Sequence, residues 1–188
     1  MQNTLELLKN IILLSLVLWA TYSDIKTRKI PNKLTINGML AGILIAMLVF
    51  AWQSGSFNPG GLWQGFISGF GGCLVALMLG VIPFAVGGLG GGDIKLLMLI
   101  GAFTGPVIAL WTVLYTALAG GVVAVLFLIK RVIKKESLFG DFVKKLKEYK
   151  DHYVYQTELP KDSASGEKFP YSIAILAGLL MAFFLRPF

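Results

Sequence analysis

Long apolar runs separated by short polar or glycine-rich joints set the pattern of the chain. The first covers residues 5–22, interrupted near its start by Glu6 and Lys9, and is long enough for a membrane-crossing helix. Its weakly basic start and its Trp19-Ala20-Thr21-Tyr22 end differ from a cleavable signal peptide, so it reads as a retained helix. The runs 36–52 and 62–86 carry no charge and read as two further spans. On the third, Gly61, Gly65 and Gly69 stand four residues apart, the small-residue spacing that lets membrane helices pack closely. Between residues 94 and 129 the only charge is Lys95, in a run too long for one ordinary span of ~20 residues and slightly short for two. Thr104-Gly105-Pro106 is the natural break, which predicts a short fourth helix from near Asp93 to Phe103 and a fifth from about Pro106 to Ile129. The last run, 171–185, ends at Arg186, whose long stem can reach the interface.

Composition turns this pattern into a class. A mean hydropathy of +0.74, with 56% hydrophobic and 14% charged residues, does not describe a soluble domain, in which about 25% of residues are charged. The chain reads as an all-α integral membrane protein, a bundle of six transmembrane helices. With six spans, residues 24–35, 83–95 and 130–170 fall on one side and hold 15 of the 17 Lys and Arg residues. By the positive-inside tendency that side is cytoplasmic, while the opposite joints, 53–61 and 104–106, are uncharged. Merging the fourth and fifth spans would put the Asp93 and Lys130 segments on opposite faces. A net charge of +7 is explained by this topology rather than by nucleic acid, for which the chain has no interleaved motif.

Residues 130–170 are too few and too polar for a second core, so residues 1–188 read as a single membrane-embedded domain. Within them Leu138, Phe142, Leu146, Tyr149 and Tyr153 recur at helical spacing among Lys144, Lys145, Lys147 and Lys150. That is a basic amphipathic helix for the membrane surface, between helices five and six, or a dock for a charged substrate tail. Residues 161–168 read as a polar tether.

The chemistry is narrowed by subtraction. Cys73 stands alone in an apolar run and His152 alone in the polar segment, which leaves no disulfide framework, no cysteine zinc site and no Ser, Cys or His triad; no metal or cofactor is expected. Of ten acidic residues, seven lie in 130–170 and Glu6 lies at the far end of the first helix. Asp24, closing the first helix, and Asp93, opening the fourth in Gly90-Gly91-Gly92-Asp93-Ile94-Lys95, remain at membrane boundaries on one side. Two carboxyls brought together cannot both ionise easily, so they share a proton and divide the roles of base and acid. The structural alternative is that Asp24 pairs with Lys26 or Arg28 while Asp93 caps its helix and pairs with Lys95. Neither is chosen by the residues alone.

The same residues resemble the type IV prepilin peptidases, membrane-embedded aspartic proteases of the Gly-x-Gly-Asp type. The family's first motif, an aspartate followed by basic residues and Ile-Pro-Asn, is matched by Asp24, Lys26, Arg28, Lys29, Ile30, Pro31 and Asn32; its second, Gly-x-Gly-Asp with a lysine two residues on, by Gly90, Gly92, Asp93 and Lys95. Phe169-Pro170-Tyr171-Ser172-Ile173-Ala174 is similar to the segment opening the family's last helix, with Ser172 in place of the usual glycine. The resemblance implies that Asp24 and Asp93 are the catalytic pair and that the substrate is the leader of a pilin-like precursor, cut at the cytoplasmic membrane face after a glycine. Gly90, Gly92, Lys95, Pro31 and Asn32 would shape the site. The cysteine-rich region that longer, methylating members carry after the first helix is missing here, so N-methylation is not expected and the chain is closer to the short peptidase-only forms, those of Tad/Flp systems and the preflagellin peptidases among them.

Two rival readings are open to test. A presenilin-like protease shares Gly-x-Gly-Asp, but here Ser23, not a tyrosine, precedes Asp24, and no Pro-Ala-Leu occurs. A small proton or cation transporter using both carboxylates as a relay would place polar groups at mid-membrane and repeat its broken helices, and the runs do neither.

Overall fold

The structure is a computed structural model that describes residues 2–54, 59–85, 88–133 and 171–185. Most of the basic 130–170 segment, including its amphipathic stretch, the 161–168 tether and His152, lies outside the described residues, as do Phe169, Pro170 and Arg186. Residues 1–120 with 170–188 form one compact unit and 121–169 a second. The described part of the second is the helical stretch 121–133, with Val122, Val125, Leu126 and Ile129 exposed.

Every regular element among the described residues is an α-helix: α1 (Gln2–Thr27), α2 (Asn32–Gln53), α3 (Pro59–Ala85), α4 (Gly91–Ile133) and α5 (Ser172–Phe184). The first four are long and apolar enough to cross a membrane; α5 is apolar but shorter. Their packing is turned inside out relative to a water-soluble bundle. On α2 the residues facing inward are small, Thr35, Gly38, Gly42 and Ala46, while Ile36, Leu40, Leu44 and Leu48 form an exposed stripe at four-residue spacing. Large apolar side chains outside and small residues between helices fit a lipid surround, where close backbone packing replaces hydrophobic collapse.

The glycines of α3 do this packing. A Cβ on Gly61 would lie 2.9 Å from Cα of Ala51, one on Gly69 would lie 3.2 Å from Cα of Ile43, and one on Gly65 would collide with the backbone of Met47. Farther along, Gly72 and Gly101 face each other so closely that a methyl on either would strike the other's carbonyl. This contact draws the first part of α4 into the centre, where Leu96, Leu97, Leu99, Ile100 and Phe103 join Leu13 and Val17 of α1 and Ile175 and Leu179 of α5 in one buried cluster. In the most apolar stretch of α4, 61% of residues are buried, against 22% to 33% in the other three long helices, which makes α4 the hub.

Helix α4 is broken where the sequence places a break. Gly105 has φ 79° and ψ 177°, outside the helical region, and Pro106 cannot supply the next backbone donor. Before the break α4 runs beside α3 in the opposite sense, Ile94 against Gly80 and Gly101 against Gly72. After it, Thr116 lies against Gly178 and Gly120 against Tyr171 at the start of α5, and Tyr171 is within electrostatic reach of Asp93. A straight helix would separate residues 93 and 120 by about 40 Å at 1.5 Å per residue. The chain therefore turns back at Gly105, and both residues lie at one end of the unit.

The apolar runs predict the helices with shifted ends. Helix α1 continues through Asp24 to Thr27, and α2 begins at Asn32 rather than near Ile36. Backbone hydrogen bonding outlasts the apolar run: the Arg28 N–H donates to the Asp24 carbonyl at 2.8 Å, and the Pro31 carbonyl accepts the N–H groups of Leu34 and Thr35.

The Gly72–Gly101 contact makes a sharp prediction. Gly72→Ala destabilises the detergent-solubilised protein by roughly 1–3 kcal/mol, as overpacking does, whereas Gly71→Ala, with nothing within 4 Å of its added carbon, melts at or slightly above the parent temperature. Equal melting of the two variants would refute the close approach.

Candidate functional site

The site is built where the end of α1, the α1–α2 connection and the starts of α4 and α5 meet. In the last turn of α1, Asp24 is half-buried, and its carbonyl accepts the Arg28 N–H at 2.8 Å. Arg28 stands at φ 52°, the left-handed region. For a residue with a Cβ this costs about 1–2 kcal/mol. Two side chains of α1 hold the bend: Ser23 Oγ donates to the Lys29 carbonyl at 3.1 Å, and the Thr27 hydroxyl, whose one proton is shared with the Ser23 carbonyl, reaches it at 3.2 Å. Ile30 then turns inward onto the core cluster, and Pro31, extended at φ −63° and ψ 123°, starts α2.

Asp93 is the third residue of α4. Its Oδ2 accepts the Gly90 N–H at 3.0 Å, while its own N–H donates to the Gly90 carbonyl at 3.1 Å. This reciprocal pair is the return half of a capping box, and it fixes the carboxylate over the helix start. Asp93 feels the like charge of Asp24 and in turn acts on Tyr171, so three chain segments present ionisable groups to one region.

A third contact closes the cluster. Ser172, the first residue of α5 and fully buried, donates from Oγ to Oδ2 of Asp24 at 2.6 Å. Beside it, Lys95 Nζ donates to Asn32 Oδ1 at 2.8 Å, tying the first turn of α4 to the first residue of α2. Gly92 lies beside Ile30, at a distance where an added Cβ would make ordinary van der Waals contact at 3.4 Å.

Of the residues singled out from sequence, Asp24 and Asp93 come within each other's electrostatic reach, and Lys95 and Asn32 become partners. Gly90 lies under the Asp93 carboxylate, Gly92 lies against Ile30, and Pro31 precedes the first turn of α2. The simple local pairings are not formed among the described residues: Lys26 sits over the Tyr22 ring, 6.0 Å from its centroid, and Lys95 goes to Asn32 rather than to Asp93. Asp93 does cap its helix, so capping and membership of the cluster are compatible. Ser172 and Tyr171 were legible only as the opening of a helix. A buried hydroxyl at the head of an apolar run was the available signal, because such a group must find an acceptor.

The arrangement offers two carboxyls, one held by a side-chain hydroxyl and one by a backbone amide, at the end of an apolar bundle. The model of the type IV leader peptidase family matches residues 11–125, a stretch that includes both aspartates and stops before α5. No curated protein and no solved structure gives a significant match.

The Lys95–Asn32 tie is testable by a double-mutant cycle with Lys95→Met and Asn32→Ala. A coupling free energy of about 0.5–1.5 kcal/mol in unfolding of the solubilised protein is expected; strict additivity would mean that the two side chains do not hold each other.

Proposed function

Because the chain belongs to the type IV leader peptidase family, we propose that it is a membrane-embedded aspartic endopeptidase whose catalytic pair is Asp24 and Asp93 and whose substrates are type IV pilin-like precursors. The observation that carries this reading is the convergence of the two carboxylates. They are far apart in sequence and lie at the ends of different helices, yet each is within the other's electrostatic reach.

On this reading the bundle crosses the cytoplasmic membrane six times, with α4 providing the fourth and fifth crossings on either side of Gly105. The site then lies at the cytoplasmic face, on the side where the sequence concentrates Lys and Arg. A precursor whose leader is followed by a hydrophobic helix would bring its scissile bond to this height while its helix rests in the bilayer.

The reaction needs one proton shared by the pair. The ionised carboxylate removes a proton from water as the water oxygen adds to the scissile carbonyl carbon. The protonated carboxyl donates a hydrogen bond to the carbonyl oxygen and stabilises the charge that develops there. Collapse of the tetrahedral intermediate breaks the C–N bond, and the leaving amine takes a proton from the pair, which returns to its singly protonated state. Neither metal nor cofactor enters this scheme, and N-methylation of the new amine is not assigned to this chain.

The test is cleavage of a co-expressed pilin-like precursor by the parent chain and by Asp24→Asn and Asp93→Asn variants, with membrane abundance measured in parallel. Each variant should accumulate normally and lose cleavage by roughly 10²-fold or more. Normal cutting by either one would make that aspartate structural and exclude this mechanism. A presenilin-like substrate choice would instead show as cleavage within the hydrophobic helix.

A further inference from the structure

The peptidase reading leaves open which aspartate begins as the base, and the polar contacts around the pair bear on that division. Asp24 and Asp93 each accept one hydrogen bond among the described residues, from very different donors. The donor to Asp93 is the Gly90 N–H at 3.0 Å, on a residue exposed to solvent. The donor to Asp24 is the Ser172 hydroxyl at 2.6 Å, on a fully buried residue. The latter distance falls in the range of a hydroxyl bonded to a charged carboxylate, which is shorter and stronger than a neutral pair.

We propose that Ser172 is a positioning residue that localises the pair's single negative charge on Asp24, so that Asp24 is the general base and Asp93 carries the proton. This inference rests on the peptidase reading above. Its physical basis is the unequal cost of weakening the two bonds. Water can satisfy the Gly90 amide if neutral Asp93 holds it less well. The Ser172 hydroxyl has no access to water, so a poorer acceptor at Asp24 leaves a buried donor short of its partner. One influence runs the other way: Asp93 lies at a helix start and Asp24 near a helix end, where the helix dipole favours charge on Asp93. That effect is screened at exposed helix ends, whereas the Ser172 contact is buried.

The bond also joins residues 148 positions apart in sequence, and so fixes the side-chain direction of Asp24 as α5 docks on α1. With Oδ2 engaged, Oδ1 is the oxygen through which Asp24 acts on water. Among the described residues, the charged side chains Lys29 and Lys33 of the α1–α2 connection and first turn of α2 are exposed. Tyr171, just before α5, lies within electrostatic reach of Asp93, Lys95 is held by Asn32, and Lys26, in the last turn of α1, and Arg28, just after it, are exposed.

The test is the pH dependence of kcat/KM for cleavage of a synthetic leader-containing pilin-like precursor by the full-length protein in detergent, comparing the parent with Ser172→Ala and Ser172→Gly. Removing the donor disfavours the charged form of the base, so the acid limb should move to higher pH by about one unit, which is roughly tenfold less activity below the limb. KM should stay within about twofold, and any fall in the plateau rate comes with the shift of the limb, because the same bond also sets the direction of Asp24. An acid limb that does not move, or a uniform loss at every pH, would overturn the assignment, because a merely structural role lowers activity without shifting the limb. If one variant fails to accumulate, the other decides. Asp24→Asn and Asp93→Asn are run alongside. If either cuts normally the catalytic pair itself is wrong, whereas if both are inactive and the limb stays in place only the role of Ser172 fails.

Discussion

Carboxylates at the edge of an apolar bundle need donors, and the way this chain supplies them organises its architecture. Asp24 receives the hydroxyl of Ser172 from α5, and Asp93 receives the amide of Gly90 from its own helix start. The first bond can form only if the last helix is docked against the first. The two carboxyls are then kept within each other's electrostatic reach by the packing of the helices that carry them. The polar cluster and the apolar bundle are therefore one structure seen from two ends.

The apolar end works through close backbone approach. Gly72 and Gly101 leave no room for a side chain between α3 and α4, and this sets the height of α4 and hence of Asp93. The reversal at Gly105 brings the second part of α4 back to the level of Tyr171. Large residues point outward along the same helices, so lipid rather than a second protein layer can cover them. Among the described residues, Arg28 in the α1–α2 connection is the one non-glycine in the left-handed region, and two hydroxyls reach the neighbouring Lys29 carbonyl. A bend stored next to the aspartate is consistent with a site that must keep a fixed shape.

Much of this was legible in the sequence because the signals are local. Uncharged runs give the long helices, the spacing of Gly61, Gly65 and Gly69 gives a packing face, and Thr104-Gly105-Pro106 gives the break. Asp24 and Asp93 stand out because almost every other acid lies elsewhere. The helix ends were less legible, since the run of apolar residues stops near Tyr22 while the hydrogen-bonded helix continues to Thr27. The pairings of Lys95 with Asn32 and of Ser172 with Asp24 span 63 and 148 residues, and no local pattern encodes a contact of that range. Ser172 read as a substituted glycine opening a helix, and only the docked α5 shows what its hydroxyl does.

The peptidase reading depends on the end of α1 and the start of α4 bringing Asp24 and Asp93 within each other's electrostatic reach. The most direct test pairs Asp24→Cys with Asp93→Cys in a chain whose Cys73 is replaced by Ser, treats native membranes with a short bifunctional thiol reagent, and identifies the linked peptides by mass spectrometry. Efficient linking is expected of this pair and none of a control pair, Glu6→Cys with Asp93→Cys, whose members lie at opposite ends of the bundle. Failure of the Asp24–Asp93 pair to link, with both thiols shown to be reactive singly, would contradict it.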